Sequence, residues 1–499
     1  MLYKSSRGAE GLMTSAYAIK MGLAEDGGLY IPAQIPKFTQ EDIQEMVEMD
    51  YHTLTVKILK EFLTDYTYLE LVSATDAAYS EKKFGAKPVK LQILSNSTGV
   101  YELWHGPTCA FKDMALQLMP QLLTRALEKT GEDKKVVILV ATSGDTGKAA
   151  LEGFKNVEGT EIIVFYPSEG VSPAQQLQMT TTEGNNVKVF GIKGNFDDAQ
   201  RAVKKLFVDA DFAKELADGG FILSSANSIN WGRLVPQIVY YFSAYCDAIK
   251  NDVIQFGDKV DFAVPTGNFG DILAGYYAKE MGLPIHKLIC ASNSNDVLTE
   301  FINTGVYNKN REFVKTISPS MDILVSSNLE RLLYHMLNLD GAKVTEYMND
   351  LQSKGTYNIP GKIMEKIRNV FAGYKVTEQE TLDRMQLTHA VKNYLVDPHT
   401  AVALEAANRY QNDNPTDKHF CIVLSTANPY KFSKDVLQAV DKDYVSQTVE
   451  SDMQHLQEKT GMEIPAPLQG LAKKPLLHQD IIEVGEMKEK IKGFLIKNS

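Results

Sequence analysis

The stretch KKVVILVATSGDTGKAA, residues 134–150, decides the fold. Its first half is a continuous apolar run rich in β-branched residues, with no polar alternation. Such a run predicts a strand buried on both faces, the usual state of a strand in a parallel sheet. Its second half is a loop of small residues that opens a helix near Thr146. The strand signature returns at TEIIVFYP (160–167), NNVKVFGI (185–192), KVDFAVP (259–265), HKLICAS (286–292) and HFCIVLST (419–426), each followed by a helical stretch. This alternation predicts an α/β chain with open, twisted, mostly parallel sheets and crossover helices on both sides.

Working outward, residues 39–86 read as helical. Thr39 is a cap candidate with Asp42 three residues on, and Ile43, Val47, Leu54, Ile58 and Leu59 recur near helical spacing. Residues 88–104 change period: PVKLQIL and GVYELW flank the turn-like SNST and read as two strands. The stretch 305–395 lacks the strand rhythm for most of its length and reads as a helical elaboration. The tail from about 440 is charged and reads as a docking arm.

The 499 residues exceed one ordinary domain and imply two or three. Apolar residues at 44% and charged residues at 23% are ordinary for a soluble globular chain. Lys and Arg number 52 against 63 Asp and Glu, a formal charge of −11 that argues against bulk binding to nucleic acid or an anionic membrane. No stretch approaches the roughly 18 apolar residues of a membrane span, and MLYKSSRGAEGLMTSAYAIK lacks a signal-peptide core. Cys109, Cys246, Cys290 and Cys421 lie far apart, without C-x-x-C or H-E-x-x-H. Neither a metal site nor a disulfide framework is expected, and a cytoplasmic protein is.

Four places can carry chemistry. The loop TSGDTGKAA (142–150) offers backbone N–H groups and a helix dipole to an anion. It is no Walker A loop, because only two residues separate Gly144 from Gly147-Lys148. A plain strand-to-helix turn is the simpler alternative. VPTGNFGDILAGYYA (264–278) is a second strand–glycine loop–helix of the same kind, and it does not match G-x-G-x-x-G. In WHGPTCAFKDMALQ (104–117), Lys112 sits where a helix begins. The dipole there favours its neutral amine, which can form a Schiff base with a carbonyl. A solvated first-turn lysine is the commoner outcome on local grounds. In LSTANPYKF (424–432), Ser425 and Thr426 end a predicted parallel strand, although Asn428-Pro429 is a turn signal by itself.

These segments, with SSANSINWGRLVPQIVYY (224–241) and PTGNFGDILAGYYAKEMGLP (265–284), stand in the order of the threonine synthase family. The chain resembles the longer microbial and fungal type of that family. SSRG, LAEDGGLYIP and DPHTAVALEA add to a likeness that spans roughly residues 5–435.

The resemblance implies a pyridoxal 5'-phosphate (PLP) enzyme of the fold shared with tryptophan synthase β, its cofactor in a cleft between two lobes. Its implied boundaries are an N-terminal extension (1–105) packing on the larger domain, a smaller α/β domain (106–225), a larger one (226–440) with the helical insertion, and a C-terminal tail (441–499). The implied reaction turns O-phospho-L-homoserine and water into L-threonine and phosphate. Lys112 matches the Schiff-base lysine, and Gly267, Asn268, Phe269, Gly270 and Asp271 match the cofactor-phosphate loop. Thr426 matches the hydroxyl partner of the pyridine nitrogen. Ser143, Gly144, Asp145 and Thr146 match the loop that receives the substrate carboxylate.

Lys148, Asn227 and Arg233 are candidates for the substrate phosphate. Arg233 suits a bidentate contact, although a helix-surface ion pair explains it equally well. His399 in DPHTAV reads as a loop hydrogen bonder. Two other functions fit the same residues: a phospho-lyase that releases 2-ketobutyrate, and a non-catalytic binder of a phosphorylated amino acid. The resemblance implies a monomer.

Overall fold

In the computed structural model, which describes residues 1–8 and 11–497, two sheets organise the chain. β1 (Tyr3–Ser5) and β2 (Tyr30–Pro32) form a small antiparallel ribbon. β3 (Lys90–Ser95) and β4 (Thr98–Glu102) form an antiparallel hairpin. β5 (Lys135–Ala141), β6 (Thr160–Pro167), β7 (Val187–Lys193) and β8 (Phe221–Ser225) follow as parallel strands. After β9 (Val260–Pro265) and β10 (Ile285–Ser292), β11 (Val306–Asn308) and β12 (Thr356–Asn358) make a second ribbon. β13 (Phe371–Lys375), β14 (Phe420–Ser425) and β15 (Ile481–Glu483) complete the set.

The smaller sheet has the order β15-β7-β6-β5-β8 and is parallel throughout. The larger has the order β13-β10-β9-β14-β4-β3 and is parallel except at the edge strand β3. With helices on the sheets, this is the α/β architecture expected from the sequence.

Alternation along the larger sheet explains its apolar runs. On β9, Phe262 and Val264 enter one core while Ala263 enters the other. On β14, Ile422 and Leu424 face the first core, and Cys421 and Val423 the second. Both faces are dry at these positions, so none of them calls for a polar residue. The helix Trp231–Lys250 is buried along nearly its whole length and packs on the helices Tyr51–Phe62 and Gly270–Glu280. Its apolar residues therefore run all round it. The Thr39–Asp42 capping box forms as expected.

Two features differ from the sequence reading, and a third gives the tail its place. β4 pairs in parallel with β14, so residues 90–102 belong to the larger sheet itself and not to an extension packed on it. Val100 and Tyr101 face opposite cores, which makes β4 an internal strand. Within 305–395, FAGYK forms β13, a parallel edge strand on β10. Its alternating burial and five-residue length conceal it from a search for apolar runs. The tail does not stay apart from the sheets: β15 pairs with β7, and the helix Val449–Thr460 packs on the helix Ser433–Val440. All four cysteines are buried and free, and no helix among the described residues is long and apolar enough to cross a membrane.

Candidate active site

A cleft opens at the C-terminal ends of β5 and β8 in one sheet and of β9 and β14 in the other, where open α/β sheets hold ligands. Lys112 lies at its floor, 8% exposed, with Nζ 3.3 Å from Ser320 Oγ. Burial pushes its ammonium down to about 8; Asp145 opposes the shift and Arg233 adds to it. The lysine loop is clamped to the end of β14. Phe111 N–H donates to Thr426 O at 2.8 Å, and Asn428 N–H to Cys109 O at 3.0 Å. Asp113 braces the loop from within, accepting from Thr108 N–H at 2.8 Å and Thr108 Oγ1 at 2.7 Å. Burial raises its carboxyl to about 6.

The loop after β5 is closed by Thr142, whose Oγ1 accepts from the N–H groups of Gly144 (2.9 Å) and Gly147 (2.8 Å). Gly144 has a φ of 133°, and a Cβ there would meet the Gln175 side chain at 2.4 Å. Asp145, 2% exposed, pairs with Lys431 Nζ at 2.7 Å and accepts from Gln175 Nε2 at 2.8 Å. Burial alone would raise this carboxyl, but Lys431 and Lys112 hold it well below the usual carboxylate range.

The GNFG turn after β9 is fixed from several sides. Ser326 Oγ donates to Gly267 O at 2.8 Å, and Asn328 donates to Asn268 O from its backbone N–H (3.1 Å) and from Nδ2 (3.0 Å). Phe269 holds a left-handed φ of 62°. A strained conformation so heavily braced marks a turn whose shape matters. Asp271, in the first turn of the next helix, accepts from Tyr240 OH (2.6 Å) and Tyr241 OH (3.0 Å); burial raises its carboxyl to about 6.

Arg233, 3% exposed, donates through Nη1 to Ala226 O at 2.9 Å, while its Nε has no partner. Burial lowers it to about 10, and a guanidinium stays cationic at neutral pH even so. No carboxylate is paired with it among the described residues. Opposite, His399 Nε2 accepts from Ser320 N–H at 3.1 Å, and its Nδ1 lies 2.6 Å from Asp397 Oδ2, an arrangement that assigns the ring proton to Nδ1.

Comparison with known proteins agrees with this geometry. The family models described as "Threonine synthase N terminus", "Pyridoxal-phosphate dependent enzyme" and "Threonine synthase, C-terminal" match residues 2–79, 88–426 and 400–489. Threonine synthase of Pseudomonas aeruginosa is 38% identical over 88% of this chain and 90% of its own. The chain belongs to the threonine synthase family. The crystal structure of PLP-bound threonine synthase from Brucella melitensis superposes with a TM-score of 0.86 at 35% identity, covering 100% of this chain and 99% of the other. The yeast threonine synthase structure gives 0.86 at 33% identity, covering 99% of each chain. Human threonine synthase-like 1 is 39% identical over 95% of this chain, which spans only 63% of that relative's length.

Of the residues expected at a threonine synthase site, Lys112, Ser143, Thr146, Asn227, Arg233, Gly267, Asn268, Phe269, Gly270, Asp271 and Thr426 line the cleft together. Lys148 does not. Its position on the helix turns Nζ to Glu152 Oε2 (2.9 Å) and Thr182 Oγ1 (3.1 Å). Gly144 and Asp145 shape the loop without lining the cleft, since the Asp145 carboxylate is committed to Lys431. The Asp271 carboxylate likewise faces tyrosines, which leaves its backbone as the part available to an anion. Sequence reasoning missed Ser320, which sits in a stretch read as insertion, and gave His399 no place at the site. The contact between Lys112 and Ser320 spans 208 residues, and no local pattern announces it.

Proposed function

We propose that this chain converts O-phospho-L-homoserine and water to L-threonine and phosphate, with PLP as cofactor. One observation carries the reading: a buried lysine held toward its neutral amine shares a cleft with a buried guanidinium that has no carboxylate partner. A buried cation without a counter-charge is costly, and an anionic ligand removes the imbalance.

The residues fit the cofactor. The GNFG turn is a cradle too tight for any side chain at Gly267, where a Cβ would meet Ser320 O at 2.5 Å. Asn268 Oδ1 is buried there without a partner. The turn and the first N–H groups of the helix Gly270–Glu280 would hold a phosphate. Lys112 would hold the cofactor's carbonyl carbon, and Thr426 its ring nitrogen. When bound, the cofactor supplies an electron sink for charge developing at the substrate's α-carbon.

The chain's own groups do the rest. The Lys112 amine is the base that takes the Cα proton and the economical candidate to move a proton at Cβ. Ser320 Oγ orients that amine. Ser143, Thr146 and the N-terminus of the helix Asp145–Phe154 receive the substrate carboxylate. Lys431 neutralises Asp145, so the loop does not repel that carboxylate. Arg233, with Asn227, holds the leaving phosphate. The reading extends to a monomer in the cytoplasm, where four reduced cysteines are at home.

Incubation with PLP and O-phospho-L-homoserine, followed by assay of L-threonine and 2-ketobutyrate, tests the reading. Threonine is the expected main product. Ketobutyrate without threonine would make the protein a phospho-lyase, and binding without turnover would make it a binding protein.

A further inference from the structure

At the opposite rim of the larger sheet, where β9, β10 and β14 begin, two histidines and two aspartates come together. Asp261 lies on β9, His286 on β10, and Asp417 and His419 on the approach to β14. His286 Nδ1 is 2.9 Å from Asp261 Oδ1 and 3.3 Å from Asp417 Oδ2. His419 Nδ1 is 2.5 Å from Asp417 Oδ1. The two imidazoles stack with centroids 4.1 Å apart. Donor atoms of Asp261, His286 and His419 all lie within 4.8 Å of one another.

We propose that Asp261, His286, His419 and Asp417 bind a divalent transition-metal ion, with Zn²⁺ the reference ion, that staples three strands of the larger sheet. Three observations converge on it. Bonds of about 2.0–2.1 Å to a tetrahedral Zn²⁺ put neighbouring donors roughly 3.3 Å apart, close to the spacings around His286 Nδ1. Two carboxylates and two neutral imidazoles carry a charge that one divalent ion cancels, and imidazole with carboxylate suits zinc. Asp261 is 1% exposed, yet its Oδ2 has no partner, and His419 Nδ1 has only the Asp417 carboxylate beside it. A shared cation satisfies both.

Outer contacts are also in place. Lys287 N–H donates to Asp261 Oδ1 at 2.9 Å and Tyr410 OH to Asp417 Oδ2 at 2.8 Å, the kind of support that orients metal ligands. The charges of Lys259, Lys279 and Lys287 also bear on His286. Two of these ammonium groups are spent on backbone carbonyls, Lys279 on Ile285 O and Lys287 on Arg368 O and Asn369 O. The side chains of His286, Asp417 and His419 are 26%, 21% and 28% exposed, which leaves an ion a way in from solvent.

The test is zinc stoichiometry and affinity on the full-length holoenzyme after chelation and removal of the chelator. Wild type should take up one Zn²⁺ per chain and gain thermal stability from it, as binding to the native state requires. His419→Gln and His286→Gln should each lose about 10–100-fold or more in affinity and lose the stabilisation. Visible d–d absorption of Co²⁺ in the chelated wild type gives a second readout that needs no variant. Wild type that binds neither ion, or variants that bind zinc as tightly, overturns the proposal and leaves a proton-sharing His–Asp network.

Discussion

Arg233 forms no ion pair among the described residues, so its loss should be felt by the substrate before the fold. Hydrogen bonds to charged groups contribute about 1.5–3 kcal/mol, which converts to about 10–100-fold. Arg233→Met should lower kcat/KM for O-phospho-L-homoserine by that factor, chiefly through KM, with PLP affinity unchanged. Arg233→Lys should recover little, because a point charge cannot reproduce the bidentate fork. An unchanged KM in both variants would falsify the phosphate assignment.

Lys112 carries a stability consequence of its own. Its folded value of about 8 lies below the ordinary value near 10.5, so at neutral pH folding must keep a proton on a buried amine. That penalty is fully present below about 8 and is relieved as the pH rises toward 10.5, where the unfolded chain alone holds the proton. At about 1.36 kcal/mol per unit, it is about 3 kcal/mol. Cofactor-free Lys112→Met should therefore be inactive yet melt higher than cofactor-free wild type at pH 7, with the gap closing by pH 10.

Lys148 marks the limit of reading residues singly. A lysine in a glycine-rich anion loop is a fair phosphate candidate. One helical turn, however, sets it against Glu152 at i+4, which rotates it out of the cleft.

Among elements, the short 3₁₀ turn Pro429–Phe432 after β14 ties the larger lobe to both loops of the smaller one. It carries Lys431 to the N-terminus of the helix Asp145–Phe154 and to Thr108 O at 2.8 Å, so it touches the loop after β5 and the lysine loop at once. Removing one partner of a buried pair costs about 3–5 kcal/mol, because the other charge stays behind. Lys431→Met should lower the melting temperature accordingly, and Asp145→Asn added to it should restore a good part. Asp145 has a depressed folded value, so its share of stability is present above the unfolded carboxylate range near pH ~4 and is lost as the pH falls. The wild-type advantage over the double variant should shrink on acidification, as thermal melts across pH would record.

The same scale separates what the sequence made legible from what it hid. Strands buried on both faces, such as β5, β6, β9 and β14, announce themselves as apolar runs. β13 and β15 sit at sheet edges, with one or two buried side chains in every few, and leave no such trace. The anion loops were readable because glycine at a strand end has a local cause. The contacts of Lys431 with Asp145 and of Lys112 with Ser320 depend on how the lobes face each other, which no local pattern encodes.

For the whole molecule, the tail closes the chain back onto its smaller sheet. It leaves the larger lobe at the helix Ser433–Val440, packs the helix Val449–Thr460 there, and then crosses to add β15 to β7. His478 Nε2 approaches Thr182 O at 2.9 Å along the way, and Gly191 N–H donates to Asp480 O at 2.9 Å. Ile482, Met487, Ile491 and Leu495 are all buried against the smaller lobe's core. Each contributes about 1.5–3 kcal/mol of burial, offset in large part by the entropy of ordering the segment. Deleting residues 475–499 would also leave β7 as an exposed edge, a template for pairing between chains. A net loss of about 2 kcal/mol should lower the melting temperature by about 4–8 °C. Hydrogen exchange should locate the loss in the amides of β7 and β6, with those of β9 and β14 unaffected. Uniform exchange through both sheets would instead mean that the lobes unfold as one unit and that the tail steadies the cleft as a whole.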